Sequence, residues 1–306
     1  MLATPWESPF ADDEWIFELK WDGIRCLLSS DDDGVHLRSR AGNDMTLRYP
    51  ELAGEHFPAN VVLDGEIVVL DNAGRPSFEL LQGRTHALPG VAASLPISYV
   101  VFDVLHCGDS LTEVPLEGRF RRLADLDLPA GCVIPDRFEA DPGPLWAFVI
   151  SRGLEGIVAK RRGSRYSPGV RSSHWRKIGN FLQTRAVVGG FTPGTGGRAA
   201  SFGALLLGLW TDDGMRWIGS VGSGFDDEAL RAIRSALDEM TIADCPFAED
   251  PELPQAVTWV DPQLVAVVRF KQWTRAGRLR APSFKGFSDH SPRSATWIAE
   301  GPPHAE

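Results

Sequence analysis

The first chemical feature of the sequence is a lysine that ends an apolar stretch and is followed at once by a turn signal. In Glu18-Leu19-Lys20-Trp21-Asp22-Gly23-Ile24-Arg25 the Asp-Gly pair sets Lys20 at the mouth of a cleft rather than on open surface. An amine is a nucleophile only when deprotonated, so a catalytic lysine needs desolvation or a neighbouring positive charge. Arg25 is placed to supply that charge and to grip a phosphate. A strand-end lysine in a hairpin fits Lys-x-Asp-Gly as well. Asp64 and Glu66 are the only charges in the apolar run from Val61 to Leu70, and strand periodicity puts both carboxylates on one face. Two acids so placed repel each other, which gives a ligand or metal role physical sense.

These residues need strands to hold them. From Glu14 to Lys20 the sequence alternates, with Trp15, Phe17 and Leu19 on one face and Glu18 and Lys20 on the other. Ile97 to Leu105 and Gly156 to Lys160 are further strand candidates, while Arg119 to Leu126 and Pro144 to Ser151 read as helices. Composition changes near Phe181. Beyond it the chain is turn-rich, with apolar strands such as Ala204 to Trp210, Ala256 to Val260 and Leu264 to Trp273. One helix, Asp226 to Met240, interrupts them, with Asp226 and Asp227 as candidate caps. The expectation is an α+β chain of two domains, 1–182 and 183–306. Short strands with one interrupting helix fit a small Greek-key barrel of the oligonucleotide-binding kind (an OB fold) for the second. The tail from Ala299 to Glu306 is expected to fray.

The bulk composition fits a water-soluble globular chain. Hydrophobic residues make up 43% and charged residues 24% of 306, which argues against disorder. No run of about 18 apolar residues suggests a membrane span. Met1 to Asp13 has no basic residue, so no secretory leader is expected. Cys26, Cys107, Cys132 and Cys245 lack the paired spacing of a zinc site and read as reduced thiols. A cytoplasmic protein, nucleoid-associated, is the expectation. The formal net charge of −10 speaks against a polyanionic partner, but local charge decides phosphate binding. Lys160 to Lys177 and Arg269 to Lys285 are both rich in basic residues and free of acids.

Lys20-x-Asp22-Gly23-x-Arg25, with the motifs that follow it in order, resembles the covalent nucleotidyltransferase superfamily of ATP-dependent DNA ligases, RNA ligases and capping enzymes. Ser39-Arg40-Ala41-Gly42, Leu63-Asp64-Gly65-Glu66-Ile67-Val68, Tyr99-Val100-Val101-Phe102, Gly153-Leu154-Glu155-Gly156-Ile157-Val158-Ala159-Lys160 and His174-Trp175-Arg176-Lys177 are similar to its successive motifs. Phe202-Gly203-Ala204-Leu205 and Trp273 to Gly286 resemble ligase landmarks of the second domain. That C-terminal pattern favours DNA over RNA or a cap as substrate. Within the superfamily the chain is similar to the ligase module of bacterial end-joining ligases and their two-domain relatives.

The resemblance implies an adenylation domain with antiparallel sheets and flanking helices, followed by an OB-fold domain. It implies that Lys20 takes up AMP from ATP and passes it to the 5′-phosphate of a nick. It implies that Glu18, Arg25, Arg40, Glu66, Phe102 and Lys177 hold the nucleotide. Phe102 would stack on adenine, Glu66 would hold the ribose and Lys177 would contact the α-phosphate. Glu155 and Glu66 would bind Mg2+ or Mn2+, and Arg40, Arg278, Arg280 and Lys285 would bind DNA. The implied partners are double-stranded DNA with nicks or ends and a bacterial Ku-like or other repair protein, with the chain a monomer. An RNA ligase, a capping-type nucleotidyltransferase and a non-catalytic DNA-end-binding homologue are the alternatives. Two positions depart from the pattern. Gly179 stands where the family has a lysine, with Arg176 or Arg185 as candidate substitutes. Gly286-Phe287-Ser288-Asp289-His290 lacks the family's arginine and Asp-Lys.

Overall fold

The structure is a computed structural model that describes residues 1–86 and 95–302. It consists of two compact units, Met1–Asn180 and Phe181–Glu306. The first runs β1 (Leu2–Trp6), β2 (Trp15–Leu19), β3 (Ile24–Asp31), β4 (Gly34–Ser39), α1 (Pro50–Ala53), β5 (Val61–Val69), α2 (Phe78–His86), β6 (Ile97–Cys107) and β7 (Asp109–Ser110). It continues through α3 (Leu116–Ala124), β8 (Cys132–Val133), β9 (Phe138–Glu139), α4 (Gly143–Arg152), β10 (Gly156–Arg161) and β11 (Arg171–Gly179).

Two sheets organise this unit. One has the order β1-β11-β10-β2-β9, the other β4-β3-β5-β6-β7 with β8 beside β6. The alternation expected for β2 is only half of its pattern. Trp15, Ile16, Phe17 and Glu18 are all buried, because Trp15 and Phe17 pack with Leu145 and Val149 on one side, while on the other Ile16 packs with Leu116 and Phe120 and Glu18 borders a cavity. α4 ends where Gly153 takes a left-handed φ of 62°, and Leu154 N–H bonds back to Val149 O at 2.9 Å. That is a helix stop of the Gly-cap kind, with β10 starting three residues on.

Two fully buried groups pin the unit together. Arg119 of α3 forks onto Asp103 of β6 through Nε–Oδ1 at 2.7 Å and Nη2–Oδ2 at 2.8 Å. Its Nη1 donates to Val114 O and Ser164 O. With both side chains at 0% exposure, the pair is stable only because its donors are met.

The second unit contains β12 (Leu182–Pro193), β13 (Phe202–Thr211), β14 (Gly214–Val221), α5 (Asp227–Glu239), β15 (Thr241–Ile242), β16 (Thr258–Val260), β17 (Val265–Phe270), β18 (Gln272–Trp273), β19 (Leu279–Arg280), β20 (Ser283–Ser288) and α6 (Trp297–Glu300). β12 is the spine. It pairs with β13 along one edge, and with β17 and then β16 along the other, through register shifts at Val188/Gly190 and Phe191/Pro193. Such bulges bend and twist a long strand, so the sheet curls around the core that holds Phe191, Phe202, Leu206 and Ile218. Among the described residues no ladder joins β14 to β20. The sheet is curled but is not a closed barrel; Phe284 N–H donates to Ser223 O at 2.9 Å, just beyond β14. Asp226 caps α5 by accepting from Ala229 N at 2.8 Å. The tail is more ordered than expected. Glu300 accepts from Arg185 Nε at 2.6 Å and Arg185 N at 3.0 Å, and its carbonyl from Thr184 Oγ1. Residues 303–306 of the expected frayed tail lie outside the described residues.

Candidate active site

A cavity of about 510 Å³ opens between the two sheets of the first unit. Glu18, Lys20, Arg25, Arg40, Glu66, Phe102 and Lys177 all border it. Lys20 sits one residue past β2 and extends its pairing, with its N–H donating to Gly156 O at 2.9 Å. The chain then turns through Asp22-Gly23 into β3. Only glycine fits there: a Cβ on Gly23 would lie 2.2 Å from Ile67 O. Gly156 is constrained in the same way, with φ +143° and a would-be Cβ 2.1 Å from Ile178 O.

Strand period and one bulge aim the side chains. Val158 and Lys160 of β10 border the cavity, while Ile157 and Ala159 face the core behind. On β11, Trp175 and Lys177 border it and Arg176 does not. Arg176 lies over the rings of Trp6 at 3.8 Å and Trp15 at 4.3 Å. In β6 the register passes from Asp64↔Asp103 to Gly65↔Val101, leaving Phe102 as the extra residue of a bulge. A bulge re-aims its side chain, and Phe102 borders the cavity from this one; a second shift, at Leu105, lies further along β6.

The electrostatics differ from expectation at two places. Arg25 is not held against Lys20. It forks onto Asp64 (Nε–Oδ1 2.9 Å, Nη2–Oδ2 2.6 Å), and Tyr166 also donates to Asp64 Oδ2 at 2.7 Å. The fully buried Asp64 needs a cation, and Arg25 is the residue directly across β3–β5 from its neighbour Glu66. Lys20 pairs with Glu155. Glu66, on β5 of the other sheet, has its carboxyl pushed up to about 8, chiefly by burial, against the pull of Lys20.

The acid-free run from Lys160 to Lys177 is not acid-free in space. Arg161 pairs with Glu14, Arg162 with Glu117 and Glu139, and Arg165 with Glu113. These are exposed pairs that contribute little to stability, but they cancel the basic face the sequence suggests. Neither candidate substitute for the lysine absent at Gly179 is available in the way expected, since Arg176 lies on the aromatic cluster and Arg185 is bound to Glu300.

Sequence reasoning passed over Lys160, which is 2% exposed. It donates to Glu18 Oε2 at 2.6 Å and Phe102 O at 3.1 Å. Burial pulls its pKa down and Glu18 pulls it back up. The signal was the strand period, which puts Lys160 on the cavity face with Val158. Trp175 was missed for the same reason. In the second unit, Arg278 lies 4.2 Å from the centre of the Trp217 ring, Arg280 belongs to β19, and Lys285 is exposed on β20.

The donors present fit a nucleotide and a hard cation. Glu155, paired with Lys20, and Glu66, which feels the charges of both, supply carboxylate oxygens. A cation such as Mg2+ takes few protein ligands and completes its shell with phosphate and water. Among the described residues no cluster of three or more His, Cys, Asp or Glu could hold a metal ion.

Two packed sheets around a lysine-headed polar cavity, followed by a small curled β unit, are the fold of the nucleotide-transferring ligases. Residues 1–178 match the family model "ATP dependent DNA ligase domain", and residues 198–290 match "ATP dependent DNA ligase C terminal region". The chain belongs to the ATP-dependent DNA ligase family. It is 36% identical over 305 residues to the multifunctional non-homologous end joining protein LigD of Mycolicibacterium smegmatis, covering 97% of this chain and 39% of that protein. It therefore spans about two fifths of that relative's length. The ligase domain of M. tuberculosis LigD has 33% identity and a TM-score of 0.52, with 96% of each chain covered. A mycobacterial DNA ligase D complexed with ATP and MES has 32% identity and a TM-score of 0.53, also with 96% of each covered.

Proposed function

We propose that this ATP-dependent DNA ligase seals breaks in duplex DNA through AMP carried on Lys20. The observation that carries the assignment is the convergence of Lys20, Glu66, Phe102 and Lys177 on one cavity. Lys20 Nζ attacks the α-phosphorus of ATP, forming a P–N bond as pyrophosphate leaves. An oxygen of the DNA 5′-phosphate then attacks the same phosphorus, and the P–N electrons return to the lysine. The 3′-hydroxyl, losing its proton, next attacks the 5′-phosphate and expels AMP. Lys177 and Arg40 neutralise phosphate charge along this sequence. Glu155 and Glu66 would hold Mg2+ or Mn2+, which when bound would supply further neutralisation. Phe102 offers its ring to the adenine.

The first unit carries out nucleotide transfer. The second presents Arg278, Arg280 and Lys285 to the DNA backbone, giving sequence-independent, salt-sensitive binding. Likeness to the LigD proteins supports a role in end-joining repair. We further propose that the protein acts in the cytoplasm at the nucleoid, as a monomer beside a Ku-like end-binding partner. A labelled, 5′-phosphorylated nicked duplex tests the core of this reading. ATP with a divalent cation is expected to yield the sealed strand, and Lys20→Met to yield none. Sealing by Lys20→Met, or no sealing of DNA while nicked RNA is sealed, would contradict it. Loss of end-joining in cells lacking the protein, and its co-purification with a Ku-like protein, test the pathway.

A further inference from the structure

Three arginines at one end of the second unit each lie over an indole. Arg293 stands 3.8 Å from the centre of the Trp210 ring, Arg216 4.1 Å from that of Trp297, and Arg278 4.2 Å from that of Trp217. The three pairs form one surface. Trp210 N–H donates to Ala295 O at 2.9 Å, tying β13 to the segment that leads into α6. Arg216 stands on β14 opposite Leu209 of β13 and reaches Ala276 O at 3.4 Å. The next residue, Gly277, leaves room for the Trp297 ring, which a Cβ there would approach to 2.6 Å.

None of the three arginines makes an ion pair among the described residues, although the chain has 41 Asp and Glu against 31 Lys and Arg. Lying on a ring does not prevent pairing, since Arg234 lies over Phe191 and also pairs with Asp238. Nη1 of Arg278 is buried and has no acceptor, and a buried donor left open calls for one. Burial and the nearby charge of Arg216 pull the Arg278 pKa down, with Glu249 pulling it back. A guanidinium laid on an indole uses its flat face and keeps its N–H edge, the part that a phosphate grips.

The surroundings narrow the ligand. Asp213, Glu249 and Asp250 border the same hollow of about 440 Å³ as Arg216 and Arg278, and they disfavour a lone small anion. A chain of linked phosphates engages several arginines at once, each further contact being intramolecular. Donors fixed by stacking suit the regular phosphate spacing of a duplex.

We propose that this end of the second unit is a phosphate-binding surface for duplex DNA, on which Arg216 and Arg293 act together with Arg278. The inference rests on the DNA-binding reading above and extends it to two residues that the family resemblance leaves out.

The test is fluorescence anisotropy of the full chain with a labelled nicked duplex whose 3′ end is dideoxy, so that no sealing occurs. Arg216→Gln and Arg293→Gln are each expected to weaken binding by about 3- to 10-fold and to make the log–log salt slope shallower by about one. The double variant should multiply the losses and lower the slope by about two. Arg216→Lys, which keeps the charge, should keep the slope. Arg122→Gln, an equal change of charge at an exposed position on α3 of the first unit, should bind like the wild type. Wild-type affinity and slope in the double variant, or an equal loss in Arg122→Gln, would overturn the proposal. A labelled single strand should lose less than the duplex; an equal or greater loss would overturn the assignment to duplex. If Arg216→Gln does not fold, the exposed Arg293→Gln decides by the same readings. A wild type that binds no nicked duplex would remove the DNA-binding reading itself, whereas normal wild-type binding that these variants keep would remove only this surface.

Discussion

Replacing Glu66 by glutamine should stabilise the nucleotide-free protein, and by more as the pH rises. Burial, with Glu155 and Asp64 nearby, pushes this carboxyl from 4.5 to about 8 although Lys20 and Arg25 pull the other way. In the unfolded chain the group ionises near its ordinary value. Between the two values the unfolded state has released the proton and the folded state keeps it, so stability falls as pH rises. The contribution is complete below about 4.5 and lost above about 8. At about 1.4 kcal/mol per pH unit that interval sets a ceiling of about 5 kcal/mol. Glu66 is only partly covered, and water at the cavity wall lowers the expected fall to about 2–3 kcal/mol. Urea unfolding of wild type and Glu66→Gln in EDTA, between about pH 5 and pH 8, reads the difference directly. The stabilisation by Glu66→Gln should widen steadily over that range and shrink when magnesium is added to both proteins. A difference that is flat with pH, or that grows toward acid, would refute the reasoning.

Arg119→Met removes the cation from fully buried Asp103 and should cost about 3–5 kcal/mol of stability in denaturant unfolding. Gly156→Ala forces a Cβ to within 2.1 Å of Ile178 O at φ +143°; a loss of roughly 3 kcal/mol or more is expected. The yield of Lys20-bound AMP should fall with it, because Lys20 N–H bonds to Gly156 O. Arg278→Ala should weaken binding of duplexes of any sequence alike and make the log–log salt slope shallower by about one. Sequence-dependent weakening in a filter-binding series would exclude the backbone role.

The strands that carry the site were legible because their apolar period is strong. Val61 to Leu70 became β5, and Gly156 to Lys160 became β10 with one more residue. The nucleotide-binding residues were implied by the family resemblance rather than by local pattern, since Glu66, Phe102 and Lys177 lie inside strands. What was not legible depends on partners distant in sequence. Arg25 stands five residues from Lys20, yet its charge is taken by Asp64, 39 residues on. Three arginines of the basic run after Lys160, Arg161, Arg162 and Arg165, are paired with acids from Glu14 to Glu139, none of them adjacent in the chain. The bulge that aims Phe102 is a register shift between β5 and β6, which leaves no mark on either strand alone. The barrel was expected from strand count; that the sheet curls without a ladder between β14 and β20 among the described residues follows from the bulges of β12, a property of packing.

The central claim is that Lys20 carries AMP, and peptide mapping tests it most directly. The wild-type protein, stripped with pyrophosphate, is incubated with ATP labelled at the α-phosphate and a divalent cation, then digested and analysed by mass spectrometry. The account predicts one labelled peptide with AMP on Lys20, discharged again by pyrophosphate and absent from Lys20→Arg. Label on a different residue, or label that persists in Lys20→Arg, would contradict it.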